Sequence, residues 1–266
     1  MKRFIALFFA LSLFPLSAHA CGADADCALG DRTYRIQMPD TAGDRPAALI
    51  FAHGYKGSAR GTMRNKSLAA LAERLGVALV APDAIMDDWS IPNAPGQSTS
   101  PDVDEIAYFD ALKEALISKH NIDPDRIVVA GFSAGGMMVW NLLCARPDDY
   151  AGFIPIAGTF WAPEPTSCDT PTANIIHIHG TSDKIVPLAG RPIAETHQGD
   201  VNKTLAMYIA NGGYSASDSP DMTSDLSCES WRNEQEATMT KCLHDGGHSF
   251  KADHIEAAWK TLVSGG

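Results

Sequence analysis

The segment Gly131-Phe132-Ser133-Ala134-Gly135 separates two different residue patterns. Before it stands an apolar β-type run, Arg126-Ile127-Val128-Val129-Ala130, and after it a helix-type run from Gly136 to Leu143. A chain that passes from strand to helix in so few residues must turn sharply. Small residues two places either side of Ser133 let strand and helix pass closely, and a serine at the apex has its hydroxyl lifted clear of the backbone. The segment is a candidate nucleophile elbow, with Ser133 as its nucleophile.

The rest of the chain alternates in the same way. Thr33 to Met38 reads as a half-buried strand and Ala47 to Ala52 as a fully buried one. Helical spacing from Thr62 to Leu75 is followed by a strand at Val77 to Ala81 and an amphipathic helix from Asp104 to Lys119. Phe153 to Ile156 and Asn174 to Ile178 are further strands, and Val201 to Asn211 and His254 to Val263 further helices. Short β-branched runs separated by helices imply an α/β fold: a mainly parallel sheet covered by helices on both faces, in a single domain. Ligands gather at the carboxyl ends of such strands. The Pro- and Gly-containing stretch Ile91 to Pro101 reads as a loop over that edge.

Residues 1–20 carry Lys2 and Arg3, an apolar run from Phe4 to Leu16 and the small-x-small pattern Ala18-His19-Ala20, which reads as a signal peptide. The mature chain would be residues 21–266, secreted or periplasmic, and no later segment approaches the length of a transmembrane helix. Cys21 follows the cleavage point and leaves lipid anchoring open, although Ala18 stands where a lipobox usually places Leu. Without the leader the balance is 19 Lys+Arg against 32 Asp+Glu, a formal charge of −13, which argues against nucleic acid as a partner. Six cysteines in a chain sent to an oxidising compartment favour disulfides. Cys228 and Cys242 are nearly equidistant from a polar turn at Asn233 to Glu236, so a hairpin folded there sets them opposite one another. Cys144 with Cys168 and Cys21 with Cys27 complete the scheme, with buried free thiols as the alternative.

Serine needs a base within hydrogen-bond reach and a third group to orient that base. After an elbow serine these follow in the chain order acid, then histidine. The strand ending at Ile178 runs into His179-Gly180-Thr181-Ser182-Asp183, which delivers Asp183 to a loop at a strand's carboxyl end. An aspartate in such a turn also caps its own backbone; Asp200 and Asp225 are the alternates. For the base, Gly246-Gly247-His248 lies past the hairpin, with His244 as its nearest rival. His254 reads as a solvated first-turn residue, and His177 and His179 as core or rim histidines. Oxyanion donors are expected at the backbone N–H of Ala134 and, after the early buried strand, at that of Tyr55 in His53-Gly54-Tyr55.

These residues together resemble secreted α/β-hydrolases of the polyhydroxybutyrate-depolymerase and feruloyl-esterase type. The likeness covers nearly the whole mature chain and rests on Gly30 to Tyr34, His53-Gly54, Ala81-Pro82-Asp83, Trp89, Gly131 to Met138, His179 to Asp183 with Val186-Pro187, and Gly246-Gly247-His248. It implies the α/β-hydrolase fold, a Ser133, Asp183, His248 triad and a Cys144–Cys168 bridge. The chain departs from the family pattern at Tyr55-Lys56, where many members are glycine-richer. It departs again at Ser249-Phe250-Lys251, where an aromatic-proline pair is usual. Both departures bear on the substrate pocket.

Trp89, Phe160 and Trp161 fall on loops at the catalytic edge and are the candidate substrate-binding aromatics, with loop anchoring as the alternative; Trp140 and Trp259 sit at helical spacing and read as core. No zinc-like histidine spacing and no phosphate-loop Gly-Lys-Ser is present, so neither a metal nor a nucleotide cofactor is expected. The sequence therefore points to a secreted serine hydrolase of small or oligomeric carboxylic esters, with short acyl, aryl or hydroxyalkanoate groups. The rivals are a peptidase or thioesterase on the same triad, and a non-catalytic periplasmic binding protein with the same fold.

Overall fold

The computed structural model describes residues 21–41, 43–98, 100–168 and 173–264, and the proposed leader lies outside them. In chain order the elements are β1 (Cys27–Leu29), β2 (Arg32–Gln37), β3 (Ala48–Ala52), α1 (Ala59–Met63), α2 (Lys66–Leu75), β4 (Ala78–Pro82) and α3 (Glu105–His120). There follow β5 (Ile127–Phe132), α4 (Ala134–Ala145), β6 (Gly152–Ile156), β7 (Ile175–Gly180), β8 (Pro192–Ile193), β9 (Thr196–His197) and α5 (Val201–Gly212). The last are β10 (Ser215–Ser217), β11 (Ser227–Arg232), β12 (Thr238–His244) and α6 (Ala252–Ser264).

The main sheet has the order β1-β2-β4-β3-β5-β6-β7-β12-β11-β10. From β4 to β12 the neighbours are parallel, and antiparallel pairs close each edge. Successive residues of a strand point to opposite faces, and this divides the core in two. Ile50 and Val129 pack with Phe109 and Leu112 of α3, Met138 and Leu142 of α4 and Tyr208 of α5. Leu49, Val128 and Ile154 pack with Leu68 and Leu71 of α2 and Ile255 and Trp259 of α6. The doubly covered, mainly parallel sheet expected from the alternating runs is thus present, and Trp140 and Trp259 are core residues as expected.

The helix expected from Thr62 to Leu75 is instead two. The break falls at Asn65, whose side chain accepts from the Ser67 and Leu68 N–H groups and so caps α2. An asparagine gains more from those otherwise unpaired donors than from a place inside a helix. The hairpin expected around Asn233 to Glu236 forms with Cys228 directly opposite Cys242. All three pairings are made, Cys21–Cys27, Cys144–Cys168 and Cys228–Cys242, and no free cysteine occurs among the described residues. No helix of the described residues is long and apolar enough to cross a membrane.

The elbow is held by what its glycines leave out. A Cβ on Gly135 would lie inside the backbone of Ala52 at the end of β3, and one on Gly131 would strike the Gly135 carbonyl. We expect Gly135→Ala to lower the unfolding free energy by about 1–3 kcal/mol or more, read from urea denaturation. Gly43→Ala, where a Cβ meets nothing within 4 Å, serves as the comparison; equal effects would contradict the close-packing account.

Candidate active site

Ser133 ends the turn between β5 and α4 with φ 59° and ψ −120°, a conformation that costs a non-glycine residue about 1–3 kcal/mol. It persists because both flanks are fixed: the Ser133 N–H donates to the Ile156 carbonyl (2.9 Å), and the Met137 N–H donates to the Ser133 carbonyl (2.9 Å). Ala134 opens α4, so its N–H is among the amides that a helix leaves without an internal partner. The loop after β3 meets this turn, since a Cβ on Gly54 would stand 3.3 Å from the Phe132 carbonyl and 3.4 Å from the Ser133 Cβ.

His53 supports that loop. Its Nε2 accepts from the Ala84 N–H (3.2 Å), which leaves the ring proton on Nδ1 to be donated to the Gly54 carbonyl (2.9 Å). The Trp89 indole N–H donates to the His53 carbonyl (2.9 Å), and the two rings pack at a tilt with centroids 5.1 Å apart. The loops after β3 and β4 are thereby tied together beside Ser133.

Asp183 and His248 meet because β7 and β12 are parallel neighbours. Beyond the strand ends the pairing continues through Thr181 N–H to the His244 carbonyl (2.8 Å) and Ser182 N–H to the Gly246 carbonyl (3.1 Å). One oxygen of Asp183 accepts from the Ile185 and Val186 N–H groups (2.8 and 2.9 Å), and the other accepts from Nδ1 of His248 (2.7 Å). Turn capping and imidazole orientation are therefore both realised, one per oxygen. With Nδ1 carrying the proton, Nε2 of His248 keeps its lone pair. The His248 ring lies against Phe132, one residue before Ser133, with centroids 4.7 Å apart. Phe250 anchors the same loop against Phe132 and Phe51, at 5.2 Å from each. Among the described residues no hydrogen bond joins Ser133 to His248. Ser133 opens on one cavity and His248 on a shallow depression next to Phe132.

The cavity at Ser133 encloses about 560 Å³. Trp89, Ile91, Met137, Trp161, Val186 and Ile193 form its apolar wall, and Tyr55 and Ala134 lie on it as well. The exposed side chains of Tyr55, Met86 and Ile185 give it an apolar rim. Asp88 is the acidic group in the wall, and burial holds its carboxyl above the usual range despite a hydrogen bond from the Trp89 N–H.

A profile of the phospholipase/carboxylesterase family matches residues 35–227. The chain belongs to that family. Over 164 residues it is 32% identical to the candidate esterase NocK of Nocardia uniformis subsp. tsuyamanensis, covering 60% of this chain and 47% of NocK. Over 175 residues it is 26% identical to feruloyl esterase C of Emericella nidulans, covering 61% of this chain and 58% of that enzyme. The chain thus spans about half the length of these relatives. A solved phospholipase/carboxylesterase from Dyadobacter fermentans superposes with a TM-score of 0.60 at 16% identity, covering 89% of this chain and 99% of that one, a likeness of fold.

Within this family member several sequence expectations find their place. Tyr55, Ala134, Ser133, Trp89 and Trp161 share one cavity, and Asp183 and His248 are paired at the same sheet edge. Phe160 is buried against Trp140, with ring centroids 5.9 Å apart, and lines a neighbouring depression that shares Trp161 with the Ser133 cavity. Trp89 combines both readings given to it, since it lines the cavity and anchors the loop. Asp200 caps α5, and Asp225 accepts from Lys251 and contacts His254, so neither alternate acid faces His248. His254 is not solvated but 2% exposed, hydrogen-bonded to Asp225 and packed against His244 at 5.5 Å between ring centroids. Met86, Asp88, Arg191 and Gln198 also line the cavity and were not foreseen. The place of Met86 and Asp88 just after the carboxyl end of β4 is a signal that could have flagged them.

Below Asp183 two histidines are fully buried. His179 Nε2 donates to the Val186 carbonyl (2.7 Å), so its bare Nδ1 takes the His177 Nε2–H (3.1 Å). Burial holds both imidazoles below their ordinary value, and His120 and His244 are shifted the same way by burial. A histidine depressed in the folded state is protonated first in the unfolded chain. Its stabilisation is therefore complete above about pH 6.5 and is lost as pH falls from there toward the folded values. For His177 and His179 the slope reaches about 1.4 kcal/mol per pH unit each. Urea unfolding at pH 7.5 and 5.5 should give the lower free energy at 5.5; an equal or higher value would contradict neutral burial.

Proposed function

We propose that the protein is a secreted carboxylic-ester hydrolase in which Ser133, His248 and Asp183 act as nucleophile, base and orienting acid. The observation that carries this reading is the Asp183 to His248 hydrogen bond, made by a ring packed against the residue that precedes a strained, cavity-facing serine. Apo catalytic hydrogen bonds are often long and tighten when substrate is bound. Here the Ser133 to His248 link closes when an ester carbonyl sits over Oγ.

In that reading Oγ of Ser133 attacks the carbonyl carbon while Nε2 of His248 takes its proton. Asp183, acceptor to Nδ1, stabilises the imidazolium that forms. The negative oxygen of the tetrahedral intermediate is received by the N–H groups of Ala134 and Tyr55, each such donor being worth about 3 kcal/mol. Collapse expels the alcohol with the proton from His248. Water, activated by the same imidazole, then releases the acid from Ser133. The apolar cavity supports an acyl or aryl group of moderate size beside Ser133. Membership of the phospholipase/carboxylesterase family supports the ester bond as the one cut. The signal-like leader and the three disulfides support export to an oxidising compartment.

Ser133→Ala should lower kcat on p-nitrophenyl acetate by about 10⁴-fold or more, with the thermal unfolding midpoint held close to that of the parent. Retained turnover in the folded variant would reject the assignment.

A further inference from the structure

A second pocket, of about 280 Å³, opens where the segment before β1, strand β2 and helix α1 meet, and it shares no lining residue with the Ser133 cavity. Ala23, Asp24, Arg35, Arg60, Met63 and Arg64 line it. Three arginines in one small pocket need an explanation in a chain with 32 Asp+Glu against 21 Lys+Arg. Elsewhere Arg32, Arg74, Arg126, Arg146 and Arg232 each hold a carboxylate within 3.0 Å. The guanidinium groups of Arg60 and Arg64 hold none among the described residues, although both line this pocket. They stand one helical turn apart, the Arg64 N–H donating to the Arg60 carbonyl (3.2 Å), a spacing at which like charges repel. Arg35 completes the set from β2. Its side chain is 13% exposed and is held by Asp26, which accepts from Nε, and by the Ala23 carbonyl, which accepts from Nη1 (3.2 Å). Those two bonds fix the plane of the guanidinium and leave Nη2 as a donor without a partner among the described residues.

Three guanidinium groups and the Asp24 carboxylate leave a formal charge of +2 among the lining residues. The counter-charge that answers it is a dianion. Guanidinium forks match the oxygens of tetrahedral oxyanions and bind them by charge-assisted hydrogen bonds. Asp24 narrows the choice further. An ionised carboxylate only accepts, so it repels an oxyanion without a proton, such as sulfate, and takes a hydrogen bond from one that still carries a hydroxyl. We infer that this pocket is a binding site for hydrogen phosphate, held by Arg35, Arg60 and Arg64, with its P–O–H donated to Asp24. A phosphate seated there joins the segment before β1 to β2 and α1, so its binding stabilises the folded chain by mass action. The site is separate from Ser133 and does not depend on the chemistry assigned to that residue.

Calorimetric titration of the protein with sodium phosphate, at mildly alkaline pH and constant ionic strength, should show one saturable site, and phosphate should raise the thermal unfolding midpoint. Sulfate, and glycerol 3-phosphate as a phosphate ester of the kind found in lipid headgroups, should bind more weakly by about tenfold or more. Arg60→Gln and Arg64→Gln should each weaken phosphate binding by about tenfold or more. Neither should lower the unfolding midpoint measured without phosphate, since each removes a repelling charge. Arg232→Gln removes the same charge from β11, at the other edge of the sheet, and should leave the affinity unchanged. Asp24→Asn should bring sulfate level with phosphate. Absence of a saturable site, affinity kept in both α1 variants, or an equal loss in Arg232→Gln would overturn the assignment. Wild-type protein that takes sulfate as well as phosphate would overturn it too, and tighter binding of glycerol 3-phosphate would overturn it in favour of a phosphorylated headgroup.

Discussion

The closeness of α4 to the end of β3 is the constraint from which the candidate site follows. It requires that nothing project from Gly135 toward Ala52, or from Gly131 toward the helix. Only then can the chain leave β5 and start a helix at once. The turn that does so forces Ser133 into a conformation that few L-residues adopt. The same geometry aims the first amides of α4 past Ser133, where a developing negative charge would be received. The position of Ser133 and the orientation of α4 beside it are consequences of two absent side chains.

A second constraint brings His248 to the same edge of the sheet. Asp183 and His248 leave adjacent parallel strands at the same end, so their loops are neighbours before any side chain is considered. The loop with His248 must still return to β5, since β6 and β7 lie between. Phe250 and Phe132 hold it there, and the imidazole packs on the same aromatic surface. Beneath, His177 and His179 form a buried hydrogen-bonded pair that reaches the Val186 carbonyl and stiffens the turn presenting Asp183.

Features decided by short-range patterns were legible in the sequence, and features decided by folding one distant segment over another were not. The central strands are apolar runs buried on both faces, which no other element of that length explains. The Cys228 to Cys242 pairing followed from nearly equal distances to one turn. The helix break at Asn65 was hidden because Met63, Leu68, Leu71 and Leu75 keep a helical apolar spacing across it, so capping overruled the periodicity. β10 carries no alternation to detect, since Ser215 to Ser217 are all exposed. His254 looked solvated because its partners lie outside its helix: Asp225, 29 residues earlier, and His244. Phe160 was placed at the right edge but faces Trp140, a choice set by packing around α4. Gln198 carried no local signal, and it lines a cavity with Trp89, Met137 and Trp161 that only the folded chain assembles.

The central claim is that this fold makes one serine uniquely reactive. A fluorophosphonate probe, with the site of modification read by peptide mass spectrometry, tests it directly. The account predicts stoichiometric labelling of Ser133 in the folded protein and loss of labelling after denaturation. Labelling of a different residue, or none at all in folded protein, would contradict it.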